Sequence, residues 1–151
     1  MSKTPRYKLT LRRCHLSIIH DGDPPFTVDC EDTAYTVISA HFKKCRVNWS
    51  VENFGILCLN SRGAPMAIEI ISTGILSACL VHPREVFRPA IAHSTAQLIS
   101  FHNHPSGDPT PSGADISLGE RLNACGTLLG IPVIDHLIVT DSECSSFMDR
   151  I

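Results

Sequence analysis

The sequence predicts an α/β fold in which a mixed β-sheet is flanked by helices. Three observations lead there. Residues 51–59 are nearly continuous in apolar content after Asn53, as a strand covered on both faces is, and residues 132–139 read as a last central strand. Residues 30–45 and 113–129 instead space their apolar positions by threes and fours, the pattern of amphipathic helices. Strand and helix alternate along the chain, interrupted by one antiparallel hairpin over residues 51–71, which mixes the strand directions.

Taken in order, residues 1–28 begin polar and continue with Tyr7-Lys8-Leu9-Thr10-Leu11, which alternates like an exposed strand that Leu16-Ser17-Ile18 extends. Asp21-Gly22-Asp23-Pro24-Pro25 is a turn. The helix expected from about Cys30 to Cys45 carries Ala34, Val37, Ile38, Phe42 and Cys45 on one stripe, with Asp29 as N-cap and Asp32 in its first turn. His41 lies on that stripe and reads as a packing residue. The strand of residues 51–59 turns at Ser61-Arg62-Gly63 into an antiparallel partner over residues 65–71. Pro83 marks the first turn of a helix from about His82 to His93, which Pro89 should bend. Residues 96–101 form a short buried strand. In the next helix, from about Gly113 to Leu129, Ile116, Leu118, Leu122, Ala124, Cys125 and Leu129 supply the buried side and Gly130 the stop. After the last central strand, Phe147 and Met148 are expected to close the sheet edge.

At 151 residues the chain is expected to form one globular unit, with residues 1–50 as a strand and helix packed on a domain spanning 51–151. The formal charge is −2, and basic residues come in small groups, Arg12-Arg13 and Lys43-Lys44-x-Arg46. The cationic stripe that neutralises phosphates is missing, so direct nucleic-acid binding is expected to be weak or absent. The seven cysteines are odd in number and widely spaced, with no Cys-x-x-Cys pair, so neither a zinc ribbon nor a redox dithiol is signalled. They read as buried free thiols. No apolar run is long enough for a membrane span, and the polar start is no signal peptide, which points to the cytoplasm.

The chemistry concentrates between Phe101 and Asp115. His102 and His104 stand two apart at the exit of a strand and so face one side. Pro105, Gly107, Pro109 and Pro111 exclude regular structure from the next segment and make it a fixed loop. Ser112 then stands where a helix begins, with Asp115 in its first turn. Two imidazoles and one carboxylate are ligands of the kind a catalytic zinc uses, with a fourth position left for water. Ser112 and Asp115 also fit a plain helix start, a capping box with Asp in place of Glu. What favours the metal is that all four residues converge on one point across a rigid loop.

His-x-His, seven residues, then Ser-x-x-Asp resembles the JAMM (MPN+) metalloprotease signature. The surrounding runs His82-Pro83-Arg84-Glu85-Val86, His102-Asn103-His104-Pro105-Ser106-Gly107-Asp108, Leu128-Leu129-Gly130-Ile131 and Asp135-His136-Leu137-Ile138-Val139 are similar to RadC-like JAMM proteins of bacteria. This resemblance covers about Val51 to Ile151. It implies an MPN/JAMM fold, a cytidine-deaminase-like sandwich. It also implies one Zn2+ per chain on His102, His104 and Asp115. Glu52, just before an apolar strand, matches the family's general base, and Ser112 the stabiliser of the oxyanion. Glu69 competes with Glu52 but does not match the pattern. Asn103 points to the strand face opposite the histidines and is expected to hold the loop; His136 is a candidate to support the metal ligands from behind without binding the ion. Residues 1–50 do not resemble the helix-hairpin-helix region of full-length RadC proteins, and Asn60 and Gly119 replace the more usual Asp and Thr.

The function so implied is hydrolysis of a peptide, isopeptide or related amide bond by metal-activated water, with a peptide or protein as substrate. The rival, from another class, is a non-catalytic accessory module that meets a protein partner in DNA repair or recombination. Three other readings fail on their own motifs. The letters His-Asn-His are contiguous here, whereas an HNH nuclease scatters them; a zinc deaminase needs His-x-Glu with Pro-Cys-x-x-Cys; a zincin needs His-Glu-x-x-His.

Overall fold

A computed structural model describes residues 27–74 and 81–151. The elements are α1 (Glu31–Cys45), β1 (Glu52–Leu59), β2 (Pro65–Gly74), α2 (Pro83–Ala92), β3 (Gln97–Asn103), α3 (Gly113–Leu129), β4 (Val133–Val139) and β5 (Cys144–Ser146), then a 3-10 turn at Met148–Arg150. The expected strands at Tyr7–Leu11 and Leu16–Ile18 and the turn at Asp21–Pro25 lie outside the described residues.

The strands form one sheet in the order β2-β1-β3-β4-β5. β1 and β2 pair antiparallel, as do β1 and β3, and β4 and β5; β3 and β4 run parallel through the α3 crossover. The fold is therefore the expected α/β mixed sheet between helices. Its core has two halves. On one face α1 sets Ala34, Val37, Ile38 and Phe42 against Leu57, Phe101 and Leu137. On the other, α2 and α3 set Val86, Phe87, Leu118 and Leu122 against Ile56, Leu98 and Val133. Every residue of β1 after Glu52 is buried, as its unbroken apolar run requires. Each fully buried side chain such as Ile38 or Phe101 contributes about 1.5–3 kcal/mol. Gly55 is needed at the centre, because a Cβ there would sit 2.5 Å from the Phe101 ring and 2.8 Å from the Glu69 carbonyl oxygen.

Several expectations change. The N-cap of α1 is Cys30, not Asp29, whose carboxylate instead accepts the Thr33 hydroxyl at 3.2 Å. α2 continues through Pro89 and ends at Ala92, and β2 extends to Gly74. On α3, Ala124 and Leu129 are exposed, not buried. The buried stripe runs through Leu118, Gly119, Leu122 and Gly126 instead. Gly126 brings the helix so close that a Cβ there would lie 2.6 Å from the Ile131 carbonyl. The edge strand is the polar Cys144–Ser146, and Phe147 and Met148 follow it. Of the five described cysteines, all free, Cys58 is buried and Cys30 and Cys45 are exposed. His41 is buried on α1 as expected, and burial lowers its pKa. No helix among the described residues is long and apolar enough to cross a membrane.

Candidate metal centre

β3 outlasts its apolar run by two residues, so His102 is still strand and His104 is the first residue of the loop. His102 is buried on the α2/α3 side, its ring stacked over Phe54 with centroids 6.4 Å apart. The backbone N–H of His104 donates to Val139 O at 3.3 Å, which fixes the strand exit against β4. Gly107, at φ +79°, lets the loop double back, and its N–H donates to His104 O at 3.0 Å. The same reversal sets the Asp108 carbonyl 2.7 Å from His104 Nδ1. A carbonyl can only accept, so Nδ1 carries the proton and Nε2 turns a lone pair toward the site.

Asp115 reaches that site from the first turn of α3. Its Oδ1 lies 3.2 Å from His102 Nε2 and its Oδ2 3.7 Å from His104 Nε2, while the two Nε2 atoms are 3.0 Å apart. Donors at 2.0–2.1 Å around a tetrahedral zinc are separated by about 3.3 Å. The first and last of these lie near that value, while the His104 contact is made by the other carboxylate oxygen; one ligand atom from each residue lies within 4.8 Å of the others, a grouping that could hold an ion. Among the described residues this is the one group of three or more His, Cys, Asp or Glu donors gathered closely enough to hold an ion. Burial pushes the Asp115 carboxyl up, but the hydrogen bond and charge of His102 and the two bonds from Ser112 outweigh it and hold the pKa well below the usual carboxylate range. The carboxylate is thus ready to bind a cation at any physiological pH.

Ser112 is the N-cap of α3 and forms the capping box with Asp115. Its N–H donates to Asp115 Oδ2 at 2.7 Å and its hydroxyl to the same oxygen at 2.6 Å, while its Oγ accepts the Asp115 N–H at 3.2 Å. The helix-start reading and the ligand-cluster reading therefore coexist in the same atoms. Oδ2 is tied to the helix start and faces His104, while Oδ1 is directed at His102.

The family profile described as RadC-like JAB domain matches residues 28–151. The chain belongs to the RadC-like JAB domain family. It is 50% identical over 99 residues to a UPF0758 protein of Alkaliphilus metalliredigens, covering 66% of this chain and 43% of that one. A UPF0758 protein of Alkaliphilus oremlandii is 52% identical over 99 residues, with the same shares of 66% and 43%. One from Moorella thermoacetica is 48% identical over 99 residues, again 66% and 43%. The chain thus spans less than half the length of these curated relatives.

In this RadC-like JAB domain Glu52 opens β1 and is partly exposed, opposite Gly74 of β2. Phe54 pairs with His102 across β1 and β3. Strand alternation puts Glu52 on the Phe54 face, the face His102 uses, and two residues further toward the loop. Glu69 is lower in the sheet, opposite Ile56, and its Oε1 is 2.7 Å from His93 Nε2. Asn103 does face away from the histidines, and its amide bonds Asn53, Val51 and Trp49 rather than the loop.

His136 is buried in β4, with Nε2 donating to Asn123 Oδ1 at 2.9 Å and Nδ1 accepting the Ser100 hydroxyl. Phe147 packs against both this ring and that of His102. Burial first, and the charge of His102 second, lower the His136 pKa to about 4. The unfolded imidazole titrates near 6.5, so between these values the folded state binds fewer protons. The contribution is present above pH 6.5 and lost as pH falls through 4. We expect urea titrations in a chelating buffer to show the wild type losing about 2–3 kcal/mol more than His136→Gln between pH 7 and 4. Equal losses would assign the slope to other groups.

Asn123, Ser100, Asn53 and the Asp108 carbonyl escaped sequence reasoning. Only Gly107 signalled any of them, as a loop glycine free to take positive φ.

Proposed function

We propose that the domain is a zinc-dependent hydrolase that cleaves a peptide, isopeptide or related amide bond. The observation that carries this reading is the convergence of the His102 and His104 Nε2 atoms and the Asp115 carboxylate, 3.0 to 3.7 Å from one another, into a group that could hold an ion. His102, His104 and Asp115 would hold the ion. When bound, zinc supplies a Lewis acid and brings the pKa of water toward neutrality. Glu52 takes the proton of the attacking water and returns it to the leaving nitrogen as the carbon–nitrogen bond breaks. Ser112 supplies a donor to the oxyanion of the tetrahedral adduct. Its hydroxyl has one proton, which Asp115 Oδ2 accepts here. Rotating that proton to the substrate leaves Oδ2 anchored by the Ser112 N–H. The carboxylate therefore keeps its orientation while the hydroxyl serves the reaction.

The substrate is a peptide or protein, and the compartment the cytoplasm. The deciding experiment incubates the zinc-loaded chain with a peptide and isopeptide library, with and without chelator. Cleavage that chelation abolishes is expected; a library untouched by protein of full metal content would end the reading.

One observation favours the accessory-module alternative, in which the domain serves a protein partner in DNA repair. The Ser112–Asp115 capping box is complete by itself, as a purely structural site would have it. The surface charge separates the two readings. Arg84 and Arg88 both pair with Glu85, and Lys43, Lys44 and Arg46 cluster at the C-terminal end of α1, where they complement the helix dipole. DNA binding measured by fluorescence anisotropy at two salt concentrations is expected to be no tighter than about 10⁻⁴–10⁻⁶ M, with a shallow salt slope. Tighter binding at physiological salt would favour the accessory module.

A further inference from the structure

We infer that Asn103 is a positioning residue, which fixes the backbone of Glu52 relative to the two histidines. The inference rests on the assignment of Glu52 as general base. Asn103 stands between His102 and His104 in the chain but faces the opposite side of the sheet, where it is 0% exposed. The backbone ladder between β1 and β3 runs from Leu59↔Gln97 to Phe54↔His102. Past that pair the Asn103 side chain takes over. Its Oδ1 accepts the Asn53 N–H at 2.8 Å, and its Nδ2 donates to Val51 O at 3.0 Å and Trp49 O at 3.2 Å.

Val51 O belongs to the peptide unit before Glu52, and the Asn53 N–H to the unit after it. One amide thus grips both peptide units that flank the base, and its own backbone carries a histidine on either side. Asn53, 1% exposed, braces the grip. Its Nδ2 reaches Asn103 Oδ1 at 3.0 Å, Asn48 O at 2.9 Å and the shared Val51 O at 2.9 Å, and its Oδ1 accepts the Thr73 hydroxyl at 2.9 Å. Buried amides with every bond made are rigid, and removing one partner leaves several groups unsatisfied at once. A strand end held only by its ladder would fray, and a base displaced by about 1 Å costs roughly 10²-fold in rate.

The test uses Asn103→Ser on the full chain with zinc added. Hydrogen exchange at the Asn53 N–H is expected to accelerate at least tenfold, with Ile56 to Leu59 unchanged and zinc content retained. Turnover is expected to fall about 10–100-fold, in kcat rather than KM. The fall should vanish when Glu52 is already Gln, because a residue acting through the base has nothing left to position. Thr73→Val, at an exposed position, removes only the outermost brace and is expected to give the same pattern at a fewfold amplitude, which keeps the test decisive if Asn103→Ser does not fold. Unchanged exchange at Asn53 overturns the grip. Faster exchange with equal losses in both Glu52 backgrounds overturns the action through the base. Full activity of Glu52→Gln alone is a different result: it removes the base assignment, and the positioning role with it, while the exchange data still report on the grip.

Discussion

His104→Ala is expected to lose the bound metal. Purified wild-type protein should hold about one zinc per chain, and the variant less than a tenth of that after dialysis, read by atomic emission. Three protein donors converge on the site, and His104 is the one whose lone pair is directed from outside the strand, by the Asp108 carbonyl on Nδ1. Its removal leaves His102 and Asp115, two donors in place of three. Ser112→Ala is the matched control. It removes one of the two donors to Asp115 Oδ2 and leaves the Ser112 N–H in place, so it should keep the metal with an affinity loss within about 10–100-fold. Thermal stability gives an independent reading, since an ion present at 1,000 times its Kd adds about 4 kcal/mol to the folded state. Chelator should therefore lower the wild-type Tm and leave that of His104→Ala unmoved. Unchanged zinc content in His104→Ala would remove the ligand assignment and the hydrolase reading together.

What the sequence made legible, and what it hid, divides along the range of the contacts. β1 could be read because a nearly unbroken apolar run has few other uses than a strand covered on both faces. His102, His104 and Asp115 could be placed near one another because strand period two and the first helical turn are local rules, joined by a loop that prolines make stiff. α3 misled for the opposite reason. Counting apolar letters put Ala124 and Leu129 inside, whereas the packed side of α3 includes Gly119, against Ile151 and Phe147, and Gly126, against Ile131 and Val133, and Leu129 is 46% exposed. A glycine on a packed helix face contributes by letting its neighbour come close, which a hydrophobicity count cannot register. β5 carries no alternation, and only its pairing with β4 makes it a strand. The supporting polar groups were hidden most completely. Asn53 and Asn103 are fifty residues apart, and Ser100, Asn123 and His136 come from three elements. No local pattern announces that such side chains will meet, because each is chosen by the tertiary neighbour whose bonding it completes.

Glu52→Gln should fold, retain zinc and lose most hydrolysis. The substitution preserves size and hydrogen-bonding capacity and removes only the ability to accept a proton. Glu52 enters β1 on the face shared by Phe54 and His102, beyond the end of the Phe54–His102 pair, so it belongs to the same end of the sheet as the ligand cluster without being one of its donors. A base in that position abstracts the proton of the attacking water in the first half of the reaction and delivers it to the amine in the second. Losing both transfers costs about 10²–10⁴-fold in rate. The loss should appear in kcat with KM little changed, as expected of a group that acts on the water and not on substrate binding. Metal content must be measured on the same preparation, because a variant that has lost its zinc is inactive for another reason. Glu69 provides the internal comparison: it is engaged with His93 and sits lower in the sheet, opposite Ile56 and not at the Glu52 end of β1. If Glu52→Gln turns over as fast as wild type while Glu69→Gln does not, the base is Glu69, and the proton path runs through the His93 pair instead.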